Sequence, residues 1–132
     1  MLLQVPLSVG EVLDKITILE IKSERIGDAG KLKNIHNELN ALRPLVDGEP
    51  FNSDEITALF AELKSINEEL WVIEDDIREQ EGKRDFGQRF IDLARAVYVT
   101  NDRRADVKKR INLATGSDLV EEKSYEDYSG DA

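Results

Sequence analysis

The chain has no cysteine, one histidine, one methionine, one tryptophan and three prolines in 132 residues. Each shortage closes a class of explanation. Without cysteine there is no disulfide framework, which fits a reducing compartment, so the expected location is cytoplasmic. One histidine and no cysteine effectively exclude a zinc site and a Cys-His or Ser-His-Asp nucleophile. Neither GxxxxGK[ST] nor GxGxxG occurs, so no phosphate loop is expected. No stretch approaches the ~20 apolar residues of a membrane span. No charged segment followed by an apolar run marks a signal peptide. Positive charge is also scarce: 18 Lys and Arg against 28 Asp and Glu give a net charge of −10. Such a surface repels both nucleic-acid phosphates and anionic lipid.

What is present is charge in quantity and a core alphabet of Leu, Ile and Val. With little Gly or Pro, that composition reads as mainly helical. The length fits one domain able to bury roughly two-thirds of its unfolded surface. Residues 1–8 read as an extended segment, 9–116 as a helical bundle and 117–132 as an acidic tail. Ser8 and Glu11 form a capping box at the start of a helix expected over Val9 to Ile26. Turn residues follow at 27–30. A second helix carries Leu32, Ile35, Leu39, Leu42 and Val46 on one face, with Pro44 near its end. Asn52 or Ser53 caps the third, whose stripe Ile56, Leu59, Leu63, Ile66, Leu70, Ile73, Ile77 repeats by three and four. Gly82 breaks it. The fourth helix is expected from about Phe86 to Thr115, with Gly116 as its cap. The fold class is therefore all-α, an antiparallel bundle of four main helices. Segments LVEEKSY and LLQVP leave room for a small two-stranded ribbon joining the termini, and YEDYSGDA reads as a frayed end.

Polar residues interrupt the inward stripes. In INEELWVIEDDIREQE, the apolar row of Ile66, Leu70, Ile73 and Ile77 has beside it Asn67, Trp71, Glu74 and Arg78. On the first helix Asp14 and Glu20 sit inside apolar sides. On the fourth, the row Phe90, Ala94, Val97 continues as Asn101, Arg104, Lys108 and Asn112. An unpaired buried charge costs several kcal/mol, roughly, so these groups must pair, stay wet or hold something. The plain reading is a network that sets helix register, in which Lys108 neutralises Glu74 or Glu20. Two sharper readings stand beside it. Glu20 and Glu74, with Asp75 or Asp14, supply oxygens for a divalent cation. Trp71, Arg78, Asn101, Arg104, Lys108 and Asn112 hold an anionic small molecule such as a phosphate or sugar-nucleotide.

The segments VPLSVGEVLDKITILEIKSERI, INEELWVIEDDIRE, FIDLARAVYVTNDRRADVKKRIN and GSDLVEEKSYEDY together resemble a family of short bacterial and phage proteins known only as a domain of unknown function. The likeness spans nearly the whole chain apart from the loop around Gly48 to Ser53. It implies a small helical protein in the setting of surface-polysaccharide genes or marine phage. The matching motifs include Glu11, Asp14, Glu20, Trp71, Glu74, Asp75, Arg78, Asn101, Arg104, Lys108 and Asn112, and the family attaches no role to them. A looser resemblance is to the all-α nucleotide pyrophosphohydrolases, through Glu11-x-x-Asp14 and Glu74-Asp75. The doubled acidic motif of those enzymes is missing.

Two functions follow as expectations. The first is a non-catalytic interaction or accessory module with a protein partner or a second copy of itself. The alternative is a magnesium-dependent enzyme or binder acting on a phosphorylated or nucleotide-linked small molecule.

Overall fold

Three side chains set the helix starts. Ser8 accepts from the Glu11 amide, Asp28 from Lys31 and Ser53 from Ile56, each meeting an amide that the first turn leaves unsatisfied. The computed structural model describes residues 1–129. Within them lie α1 (Val9–Arg25), α2 (Ala29–Leu42), a short 3₁₀ helix (Arg43–Val46), α3 (Asp54–Gly82) and α4 (Gln88–Thr115). The class is all-α. Pro44 acts as expected, since its ring cannot continue α2 and the chain tightens into the 3₁₀ turn. Gly116 ends α4 at φ 67°, where an L side chain would be strained.

Two expectations need correction. No strand forms among the described residues, so the terminal ribbon is not there. Leu2, Leu3 and Val5 are exposed, and an unsupported two-stranded ribbon has too little burial to persist. The expected frayed end also covers residues 130–132, which lie outside the described residues. Next, α4 starts at Gln88 rather than near Phe86, because Arg84 at φ 53° and Gly87 at the cap turn the chain first.

α3 and α4 make the most extensive packing contact. Their ion pairs run in opposite directions along the two helices: Glu62 to Arg110 at 2.8 Å, Glu69 to Arg103 at 3.0 Å and Asp76 to Arg89 at 3.3 Å. α1 touches α2, α3 and α4. The core gathers Leu13, Ile16 and Leu19 of α1, Ile35 and Leu39 of α2, Ile56 to Leu70 of α3, and Val107 and Ile111 of α4. It therefore occupies one end of the α3–α4 hairpin. No helix is long and apolar enough to cross a membrane among the described residues.

Candidate functional site

Asp14 is the hub of the polar seam. It sits on the α1 face that meets α3 and α4, and only 1% of it is exposed. A carboxylate that deep must have its oxygens occupied. Arg104 of α4 donates to both, through Nε at 2.9 Å and through a second, short contact from its terminal nitrogen. Asn67 of α3 donates to Asp14 Oδ1 at 2.9 Å and lies 2.8 Å from the Thr17 hydroxyl. Thr17 in turn donates to the Asp14 carbonyl at 2.7 Å. One buried anion thus ties three helices together.

The fourth-helix cations extend the network outward. Lys108 Nζ lies 2.7 Å from Glu11, 3.9 Å from Asp14 and 3.3 Å from Glu121. Burial alone would lower the Lys108 pKa, but the three carboxylates outweigh it and hold the ammonium above its usual value. The Asp14 carboxylate does the same for Arg104. One turn on, Asn112 Oδ1 accepts from the Gly10 amide at 2.6 Å, capping the first turn of α1 from α4. Gly10 permits this because a Cβ there would stand 2.5 Å from the Lys108 carbonyl oxygen.

Two open grooves flank the network. One, of about 410 Å³, has a floor of Ile18, Ile21 and Leu70 and walls of Lys22, Trp71, Glu74, Asp75, Arg78, Asn101 and Arg104. The other, of about 630 Å³, runs between α4 and the C-terminal segment. Tyr98, Asn101, Arg104 and Lys108 line its α4 side, and Lys123, Tyr125 and Tyr128 its other side. The segment is held by Lys109 to Glu122 at 3.1 Å and by the Tyr98 and Tyr128 rings, 5.0 Å apart at an angle of 65°. A hydrogen bond to Asp102 pushes the Tyr128 phenol up to about 12. Asn101 and Arg104 line both grooves.

The expected site residues fall into three places. Trp71, Glu74, Asp75, Arg78, Asn101 and Arg104 share the smaller groove. Lys108 lines the larger one, and Asn112 is buried at the α1 contact. Glu20 stands apart, in a groove with Arg43 and Phe60, paired to Lys64 at 3.5 Å and to Arg43 at 3.6 Å. It is therefore not brought to Glu74 and Asp75. Among the described residues no group of three or more His, Cys, Asp or Glu side chains is placed to hold a metal ion. The expected Lys108 pairing with Glu74 or Glu20 is also corrected, since Glu74 pairs with Arg78 one turn away. A helical wheel gives a residue's angle but not the height at which its neighbour sits, and Glu11 and Asp14 lie level with Lys108. Thr17 escaped the sequence reading altogether; its spacing of three from Asp14 was the available signal.

Comparison with known proteins gives a family and no activity. Residues 3–130 match a family of unknown function (DUF6165), and the chain belongs to it. No curated protein matches, and no solved structure matches.

Proposed function

We propose that this member of a family of unknown function is a non-catalytic interaction module, an antiparallel helical bundle that presents its surfaces to a protein partner. The observation that carries this is the pairing of the seam. Asp14, 1% exposed, has both oxygens taken up by Arg104 and Asn67, and Lys108 is held among three carboxylates. General acid–base work needs a carboxyl with access to substrate and a free proton position. A carboxylate already bound to a guanidinium in a closed contact supplies architecture instead. The lack of cysteine supports a cytoplasmic setting, and the family resemblance supports an accessory role in polysaccharide assembly or phage biology.

One observation favours the alternative, a magnesium-dependent binder of a phosphorylated or nucleotide-linked molecule. Trp71, Glu74, Asp75, Arg78, Asn101 and Arg104 do share a groove. A thermal-shift panel of magnesium, manganese, nucleotides and sugar-nucleotides separates the two, because a ligand of the native state raises its apparent stability by RT ln(1 + [L]/Kd). The module reading expects no shift. A shift that disappears in Arg78→Ala would overturn it in favour of the binder.

A further inference from the structure

After Gly116 the chain turns back, and residues 117–129 run along α4 as a strap. Two carboxylates fasten one end of it: Glu121 lies 3.3 Å from Lys108 Nζ and Glu122 lies 3.1 Å from Lys109 Nζ. Tyr128 fastens the other end, with its ring against Tyr98 and its hydroxyl donating to Asp102. Between these ends, among the described residues, no hydrogen bond or ion pair ties residues 123–127 to a helix. The six steps from Glu122 to Tyr128 can reach about 20 Å, whereas α4 rises only about 10 Å from Asp102 to Lys109. The strap therefore has slack, bows off the helix and leaves the groove of about 630 Å³ beneath it.

The strap is held weakly. Among the described residues no backbone hydrogen bond joins residues 118–128 to the helices. Lys109 and Glu122 are 47% and 71% exposed, and ion pairs between such groups contribute little. Residues 117–129 also bring five acids and one lysine to a chain whose net charge is −10. Only Glu121 and Glu122 of those acids pair with a helix cation. Lifting the strap changes α4 in a defined way. Lys109 loses the carboxylate it pairs with, Asp102 loses the phenol, and the Tyr98 ring loses its cover. The neighbouring cations are answered elsewhere: Lys108 by Glu11, Arg104 by Asp14, Arg103 by Glu69 and Arg110 by Glu62 and Asp106. The vacated face thus offers an ammonium at one end and, about 10 Å along the helix, a carboxylate acceptor beside an aromatic ring.

We propose that this face of α4 is a docking surface for an extended segment of a partner protein, bearing a pair of carboxylates and a tyrosine six residues on, and that the strap is an internal occupant holding the surface closed. The strap itself shows which chemistry the face accepts. Its tether favours it over any occupant from outside, and the apparent affinity for a partner is reduced by the fraction of chains whose strap is lifted. A partner segment that keeps the two anchors without the unpaired acids of the strap fits the face better than the strap does. This rests on the interaction-module reading and deepens it by stating the partner's chemistry. The two fail separately, since the ligand panel tests for a small-molecule site and peptide binding tests this face.

Fluorescence anisotropy of a labelled synthetic peptide of residues 117–129, titrated with the full chain, is the test. Glu122→Gln together with Tyr128→Phe loosens the strap at both ends and leaves α4 untouched. Both positions are exposed, so the circular dichroism is expected to stay unchanged. The loosened variant is expected to bind the peptide roughly tenfold tighter than the wild type does, because its own strap competes less. Adding Lys109→Glu is expected to abolish that gain, and a peptide of the same composition in scrambled order is expected not to bind. A loosened variant that binds the peptide no better than the wild type overturns the proposal. So does binding indifferent to Lys109→Glu or to the order of the peptide. Sedimentation velocity of the wild type is expected to show a monomer; a dimer dissolved by Lys109→Glu would give the surface to the strap of a second copy and overturn the assignment to a partner protein.

Discussion

Replacing Asp14 by alanine removes the anion on which α1, α3 and α4 converge. Breaking a buried ion pair from one side costs about 3–5 kcal/mol, because the remaining charge loses its partner without regaining water. Two features of this site set the expectation at the lower end. The Arg104 side chain is 27% exposed, so its guanidinium can turn partly into a groove. Lys108 keeps Glu11 and Glu121. The expected loss is therefore about 3 kcal/mol, large beside the ~5–15 kcal/mol of a typical domain. With a urea slope of about 2 kcal/mol per M, the unfolding midpoint falls by about 1.5 M at unchanged slope. Glu74→Ala is the matched control. Glu74 and Arg78 are 42% and 71% exposed and form a pair within one helix, so its loss is expected below ~1 kcal/mol. Adding Arg104→Met to Asp14→Ala removes the stranded cation, and the double variant is expected to recover part of the loss. An Asp14→Ala loss below ~1 kcal/mol, equal to that of Glu74→Ala, would refute the assignment of Asp14 as the tie between helices.

Two further outcomes follow from single contacts. In Gly10→Ala the new Cβ meets the Lys108 carbonyl oxygen at 2.5 Å and Asn112 Oδ1 at 3.0 Å, so α1 must lift off α4. The expected cost is about 1–3 kcal/mol, read from the same denaturation midpoint, and a neutral result would contradict the close approach. For Tyr128, the hydrogen bond to Asp102 raises the phenol from 10.0 to about 12. A raised pKa means that the folded contact favours the protonated form. Its contribution is therefore complete below pH 10.0 and lost as pH rises through about 12. Ultraviolet titration of tyrosinate should show one late ionisation near that upper pH, missing from Tyr128→Phe; a wild-type titration without it would place the C-terminal segment elsewhere.

The features legible in the sequence were those that a helix settles within a turn or two of itself. Ser8 and Ser53 as caps, Pro44 as a stop, Gly116 as a left-handed cap and the three-four stripe of α3 all depend on neighbours along the chain. The polar seam was legible as a seam, because Asp14, Asn67, Arg104 and Lys108 each sit where an apolar residue should face inward. Its wiring was not. Which acid meets Lys108 depends on how far α1 has slid along the α3–α4 groove, and that offset is a tertiary quantity. The same offset leaves Ile73, Ile77, Phe90 and Ala94, which read as inward-facing in the sequence, only half-buried beyond the end of α1.

The network and the half-buried distal stripe of the α3–α4 hairpin are two results of one offset. A buried ion pair contributes little net stability compared with a well-packed apolar pair, but it is costly to misplace. Sliding α1 one turn toward the distal end of the α3–α4 hairpin would cover more of Ile77 and Phe90. It would also carry Asp14 away from Arg104 and Asn67, and part the Gly10 amide from Asn112 Oδ1, leaving a carboxylate and an amide buried without partners. The apolar gain of covering one more large side chain is about 1.5–3 kcal/mol, and the loss of the Asp14 pair alone is at least as large. The polar seam therefore holds α1 short of that distal end. On that account the seam works as architecture with a consequence beyond its own stability: it fixes the register of α1 against the α3–α4 hairpin.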